Sequence, residues 1–345
     1  MNSIERFLKT IERQPVDRPA VWLGLPDNGS LPGLFKQMGV SDLDAFKQAI
    51  GDDVWTVELP YNSPYSKHIY SAFPFAKEAV DGNSNEERTL TAPGFFEDFE
   101  DPADVNKFDW PEPEKYISPE ECRKVVEGLP QDKAVLGVLW SAHFQDACAA
   151  FGMENALMTM LETPEMYAAV NDKIVDFYLR ANKIFYENTK GKLHAVLIGN
   201  DLGSQTSLMI SPKLVREFVL PGAEKLIKQA HEYGLKVIYH SCGAISDVFD
   251  DLLSVGVDVL HPIQALAEGM NPERLKRDFG GRATFCGGVC TQDLLVNGTP
   301  EAVAAKVKQL RELFPTGLII SPSHEAILPD VSPANVAALF KAATS

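Results

Sequence analysis

The sequence predicts a single α/β chain folded as a distorted (β/α)8 TIM barrel, and three observations carry that reading. Eight short apolar runs recur along the 345 residues. Stretches of helical character separate them, most regularly in the second half. Near-continuous apolar strands alternating with helices are the mark of a parallel sheet covered on both faces. Eight such units favour a closed barrel over an open sheet.

In chain order the expected strands are Ala20–Leu23, Val54–Leu59, Ala134–Trp140 and Ala195–Asp201, then Lys236–His240, Val257–His261, Ala283–Cys286 and Gly317–Ser321. Helices are expected over 152–162, 164–189, 211–233, 245–255, 271–279, 300–313 and 332–343. Several open on a capping residue followed by proline, as at Thr163-Pro164, Ser211-Pro212, Asn271-Pro272 and Thr299-Pro300. Proline at the first helical position loses no hydrogen bond, because that amide has no partner in the helix. Residues 60–130 interrupt the alternation with proline, aromatic and acidic residues. This N-terminal insertion is expected to run over the barrel mouth as a lid, with a hairpin-type turn at Asp81-Gly-Asn-Ser-Asn85. The whole chain, 1–345, is expected to be one barrel.

Composition narrows the function classes. The chain is 45% hydrophobic and 23% charged, enough for one large core. A net charge of −16 argues against a nucleic-acid backbone or an anionic membrane as partner. The opening Met1-Asn-Ser-Ile-Glu-Arg-Phe-Leu-Lys9 has no apolar signal region, and no apolar run is long enough to span a bilayer. A cytoplasmic protein, monomer or homodimer, is expected. Its five cysteines, at 122, 148, 242, 286 and 290, are then thiols or ligands rather than a disulfide framework.

The chemistry gathers at the strand ends. His240-Ser-Cys242-Gly243 follows directly on the apolar run from Lys236. Alternate side chains of an extended strand point the same way, so His240 and Cys242 converge. An imidazole and a thiolate presented together suit a borderline-soft divalent metal, zinc first of all. Buried packing of the pair is the plain alternative. The later strands end in Asp201 and Gln205, in His261 and Gln264, in Cys286, Cys290 and Gln292, and in His324 and Glu325. In a β/α barrel these ends form the rim where active sites lie. His324 is the first choice for a third ligand and Cys286 the second. Three N/S ligands with one open position describe a catalytic zinc. His261, before Pro262, is expected to cap its strand. Asp201 is a candidate to orient a metal-bound histidine, handle a proton or bind substrate. His143, after the third strand, is expected to face the mouth as a second catalytic residue. Trp140, Gln205, Tyr239 and Gln264 are expected to line the substrate. No dinucleotide fingerprint, Walker A run or Gly-x-Ser-x-Gly elbow is present.

These residues carry a resemblance. Ile198-Gly-Asn-Asp-Leu-Gly-Ser-Gln205, Ser211-Pro-Lys-Leu-Val-Arg-Glu-Phe218, Tyr239-His-Ser-Cys-Gly243 and Ser321-Pro-Ser-His-Glu-Ala-Ile-Leu-Pro-Asp330 resemble the uroporphyrinogen decarboxylase-like superfamily. The resemblance implies a distorted β/α barrel and one of two chemistries. The decarboxylases use no metal and carry an Arg-Gln-Ala-Gly-Arg segment after the first strand. The matching Trp22-Leu-Gly-Leu-Pro-Asp-Asn-Gly29 has no arginine, which argues against a polycarboxylate substrate. The cobalamin-dependent methyltransferase branch, methylcobalamin:coenzyme M methyltransferase-like, carries His-x-Cys and a distant third ligand. His240 and Cys242 match it, and the third position, usually Cys in that branch, falls on His324. The resemblance therefore implies zinc, a cobalamin held by a partner corrinoid protein, and a small methyl donor or thiol acceptor. A decarboxylase acting on a tetrapyrrole carboxylate is the alternative, and a non-catalytic corrinoid- or metal-binding barrel is a third.

Overall fold

The computed structural model describes residues 1–76 and 92–345. Seven parallel strands form one sheet in chain order: β1 Val54–Glu58, β2 Ala134–Trp140, β3 Ala195–Gly199, β4 Lys236–His240, β5 Val259–Ile263, β6 Phe285–Val289 and β7 Leu318–Pro322. The sheet curls as a TIM-barrel-like fold does. The expected eighth strand is the departure. Residues 20–23 make one parallel bridge, Val21 with Ile320, and no strand. Backbone bonds nevertheless tie this segment to both edges: Trp22 N–H donates to Ile320 O at 3.1 Å, Ile320 N–H to Ala20 O at 2.9 Å and Asp53 N–H to Val21 O at 3.1 Å. The turn expected at Asp81–Asn85 lies outside the described residues.

The helices fall where the caps place them. Ser211 Oγ accepts from the Leu214 amide, Asn271 Oδ1 from Glu273 and Arg274, and Thr299 Oγ1 from Ala302. The 211–233 stretch is interrupted once, by a π turn at Val215–Val219 ahead of the Leu220–Glu232 helix. Pro221 has no amide hydrogen to complete the α ladder there. Among the described residues no helix is long and apolar enough to cross a membrane.

Alternation on the strands creates two cores. Leu136, Val138, Leu197, Ile238, Val259, Cys286 and Ile319 fill the interior of the curled sheet, with Trp22 among them and Phe7 and Ile11 of the first helix beside them. The other parity, Val135, Val196, Val237, Tyr239, Leu260, Phe285 and Ile320, packs outward under the helices. The insertion builds an aromatic cluster of its own. Phe73 packs on Phe177 and Tyr178 of the Pro164–Asn188 helix, while Phe75, Phe96, Phe108 and Trp110 stack around one another. This part of the insertion thus leans on the barrel's flank, and among its described residues Tyr70 lines the mouth.

Candidate active site

Strand parity builds the site. On β4, Ile238 faces the interior, so His240 does too, and the extended chain carries the same phase on to Cys242. On β3 the phase of Leu197 runs through Gly199 to Asp201. Gly199 sits in register with His240, and a Cβ there would lie 2.0 Å from the His240 carbonyl oxygen. Glycine is therefore required for β3 and β4 to approach at this level. His261 on β5 is in register with His240 on its other side.

Three donors converge. One ligating atom from each of Asp201, His240 and Cys242 lies within 4.8 Å of the other two. His240 Nε2 is 3.5 Å from Cys242 Sγ and 3.3 Å from Asp201 Oδ1. Asp201 Oδ1 also accepts the Cys242 backbone N–H at 2.9 Å, which fixes the loop against β3. On the far side of the ring, His240 Nδ1 is 3.0 Å from His261 Nδ1 and 3.4 Å from Glu325 Oε2. The backbone between His240 and Cys242 is held as well. Ser241 N–H donates to His261 O at 2.8 Å, Ser241 Oγ accepts from Leu202 N–H at 3.0 Å and Gly243 N–H donates to Gln264 Oε1 at 2.7 Å.

The charges reinforce one another. Burial works against charge on His240, but Glu325, Asp201 and Cys242 outweigh it and push its pKa well above the usual imidazole value. Burial also opposes ionisation of Asp201, yet the hydrogen bond and charge of His240 and the Cys242 amide hold its carboxyl far below the carboxylate range. Cys242 is half-buried, which works against ionisation, and hydrogen bonds from His240 and His324 lower its thiol pKa despite that. The hydrogen bond to Cys242 raises His324. His261 moves the other way, driven well down by burial and then by the charges of His240 and His324. With Nδ1 turned to His261 and Glu325, His240 Nε2 faces Asp201 and Cys242.

Above this cluster opens a cavity of about 400 Å³. Asp201, His240, His324 and Glu325 line one part of its wall, and Glu58, Tyr70, Trp140, Ala142, Gln145 and Gly199 the rest. Trp140 meets the His240 ring edge-on, with centroids 5.6 Å apart. His324 stands perpendicular to the same ring at 6.1 Å, and its Nδ1 accepts the Ala326 amide at 3.0 Å.

Several sequence expectations are corrected. His143 does not reach the mouth. Trp140 and Ser141 both adopt left-handed backbone, φ 57° and 53°, so the strand alternation is lost before residue 143. The His143 ring is wholly buried, with Nδ1 3.0 Å from Asn171 Oδ1, and burial lowers its pKa to about 4. Tyr239 has the outward parity, and its hydroxyl accepts from Asn200 under the helices. Gln205 is exposed on the loop after β3 and lines no part of the cavity. Gln264 is buried and serves Gly243 rather than the cavity. Cys286 belongs to the interior core, its thiol pKa pushed well up by burial. Sequence reasoning missed Glu325, Glu58, Tyr70 and Gln145, and gave His261 only a capping role. Glu325 carries the interior phase of β7 through Ile319, Ser321 and Ser323, which was a readable signal. Tyr70 carried none.

The donor set is of the kind that holds zinc: an imidazole nitrogen, a thiol of lowered pKa and a carboxylate, with a second carboxylate behind the imidazole. Glu325 Oε2 is buried without a hydrogen-bond partner among the described residues, as is His261 Nε2. Behind a histidine that held a metal, such groups would serve as its outer shell.

Comparison with known proteins places this geometry. The family model for uroporphyrinogen decarboxylase (URO-D) matches residues 85–345. A curated relative, the methylated-thiol–coenzyme M methyltransferase of Methanosarcina mazei, is 26% identical over 190 residues, 55% of this chain and 47% of that protein. The aligned part thus spans about half the length of that relative. A solved methyltransferase structure from Methanosarcina mazei superposes with a TM-score of 0.70 at 18% identity, covering 100% of this chain and 98% of the other. That likeness shows the fold. The similar proteins are thus methyltransferases, and the family match covers well over half of the residues: the chain belongs to the uroporphyrinogen decarboxylase (URO-D) family.

Proposed function

We propose that this protein is a zinc-dependent methyltransferase that moves a methyl group between a small methylated or thiol substrate and a corrinoid carried by a separate protein. The observation that carries the reading is the convergence of Asp201, His240 and Cys242, of which Asp201 and His240 line the cavity. His240 and Cys242 would hold the ion, with Asp201 or His324 as third ligand. Zinc bound there supplies Lewis acidity, lowering the pKa of a substrate thiol or polarising a methoxy oxygen.

The chain's own residues prepare that chemistry. His261 and Glu325 hold the His240 ring so that Nε2 faces the site. Asp201 draws the Cys242 backbone inward and is placed to take a substrate proton. Trp140 closes one side of the cavity and restricts water there. The 60–130 insertion, which contributes Tyr70, is read as cover for the mouth when the corrinoid protein docks. The decarboxylase alternative has less support. Glu58, Asp201 and Glu325 line the cavity, and no arginine or lysine does among the described residues. A polycarboxylate would find repulsion there.

The test is metal content by mass spectrometry of protein purified without added metal, followed by methyl transfer from methylcobalamin to a thiol. About one zinc per chain is expected in the wild type and in Cys286→Ser, and none in Cys242→Ser. A wild-type protein that takes up no zinc refutes the reading.

A further inference from the structure

We infer that Gln145 is a specificity-determining residue of this cavity, and that its amide reads a neutral group on the substrate that both donates and accepts, a hydroxyl or a primary amide, beside the methyl or thiol. The inference deepens the zinc-site reading and rests on it for the position of the thiol.

The chain after β2 carries it. Trp140 and Ser141 take left-handed backbone, and the helix His143–Phe151 opens directly from that bend. Two buried asparagines hold the bend. Asn182 Nδ2 donates to Ser141 Oγ at 3.2 Å, and Asn200 Oδ1, just past β3, accepts the Phe144 amide at 2.7 Å. The first turn of the helix is thereby fixed at the mouth. Positions three apart share a helix face, so Ala142 and Gln145 stand together, and both line the cavity. His143, two positions before Gln145, turns the other way, to Asn171. Gln145 thus brings to the wall a polar group that the fold leaves unused: its Oε1 is buried without a hydrogen-bond partner among the described residues. A buried acceptor left bare costs stability, and on a cavity wall a ligand is what can fill it. The wall beside it, Trp140 and Ala142, is apolar, so the amide is the polar point on this side. With no partner in the protein to fix its orientation, the amide can present Oε1 or Nε2. A hydroxyl or a primary amide donates and accepts, and so satisfies either end. An alkyl group satisfies neither and leaves the buried oxygen bare. A site of this kind rejects the analogue that lacks the polar group far more strongly than an apolar wall could.

Hydroxy thiols and their alkyl isosteres test the inference. 2-Mercaptoethanol is paired with 1-propanethiol, and 3-mercapto-1-propanol with 1-butanethiol; the members of each pair differ only by hydroxyl for methyl. Each thiol is titrated by calorimetry into zinc-loaded wild type and Gln145→Met, which exchanges the amide for a thioether of similar length. In Gln145→Met the affinity of the hydroxy thiol relative to its alkyl partner is expected to fall about fivefold or more, for the pair whose spacer reaches the amide, as the loss of one hydrogen bond to a buried group implies. Zinc content and melting temperature stay at their wild-type values, because the fold loses no hydrogen bond and little volume. Relative affinities within about twofold of wild type in both pairs overturn the inference and leave the zinc reading standing. A methionine variant that loses zinc or melts several degrees lower makes Gln145 part of the scaffold, and overturns it too. If no thiol binds, the zinc reading fails, and saturation-transfer NMR with propionamide on the metal-free protein decides alone: a signal that Gln145→Met removes sustains the inference, and no signal, or one that the variant keeps, ends it.

Discussion

Replacing Gln264 by leucine isolates the contribution of the scaffold to the proposed metal site. Gln264 is 7% exposed and its Oε1 accepts the Gly243 N–H at 2.7 Å. Gly243 has φ 86°, and a Cβ there would lie 2.4 Å from Ser204 O, so the loop has no room to turn its amide elsewhere. Leucine fills similar volume but leaves that buried amide without an acceptor. An unsatisfied buried donor costs about 1–3 kcal/mol. In a chain of this size that lowers Tm by about 1–4 °C. The ligand loop keeps its other tethers, Cys242 N–H to Asp201 and Ala244 N–H to Ser204 O. Zinc affinity therefore falls by about tenfold, the low end for an outer-shell change. Gln264→Glu retains the acceptor and restores both. The assays are calorimetric melting of the metal-free protein and zinc competition against a chromophoric chelator. Because Gln264 does not line the cavity, substrate KM at saturating zinc stays within twofold of wild type. Leucine variant and wild type holding zinc alike, or a glutamate variant as impaired as the leucine one, refutes the reasoning.

Two further substitutions probe the fold around the site. Asp53 is wholly buried and accepts from Arg6 Nη1 and Arg18 Nη1, both at 2.7 Å, and from the Val21 amide at 3.0 Å. Asp53→Asn should cost about 3 kcal/mol, the lower end for breaking a buried pair because Arg6 keeps Asp17, while zinc content per folded chain is unchanged; chemical denaturation and metal analysis check both. At Gly222 an added Cβ would meet Val175 Cγ2 at 2.8 Å and His143 Cε1 at 2.9 Å, so Gly222→Ala should destabilise by about 1–3 kcal/mol. The cost should shrink when His143→Ala is combined with it, a coupling that a double-mutant cycle measures and that a His143 at the mouth would not show.

What was legible follows from which rule governs each residue. The seven strands and their helices could be read because apolar runs and Pro-led caps are local signals: Ser211, Asn271 and Thr299 cap as their sequence positions imply. The segment Ala20–Leu23 looks like any other strand, yet it must meet β1 and β7 at once. Val21 makes its bridge to Ile320 while its carbonyl serves Asp53. That shared pairing is a property of the closing edge, not of the four residues. His240, Cys242 and Asp201 were found because each stands in phase with an interior strand residue. Tyr239 was misplaced by neglect of the same phase, since it neighbours His240 and must point outward.

The remaining errors arise where the period-two rule ends, and the two rim loops show how. After β2 the alternation breaks at once, because Trp140 and Ser141 are both left-handed. His143, three residues on, is then buried against Gly222 and Asn171 on the helical side. After β7 no such break intervenes in the phase. Ser321, Ser323 and Glu325 stay on the interior side, and Glu325 arrives behind His240 at 3.4 Å. His324, out of phase, lines the cavity at the rim, where the loop turns and the Ala326 amide binds its Nδ1. The first choice from sequence, His324, thus stands at the rim, while the acid beside it meets the His240 ring from within. A histidine and a carboxylate side by side on one loop thus take different places, His324 at the rim by the turn of the loop and Glu325 behind His240 by strand phase. Exchanging their order in the sequence would put an imidazole beneath His240 and a carboxylate at the rim, and the site would lose the anion that holds the His240 ring.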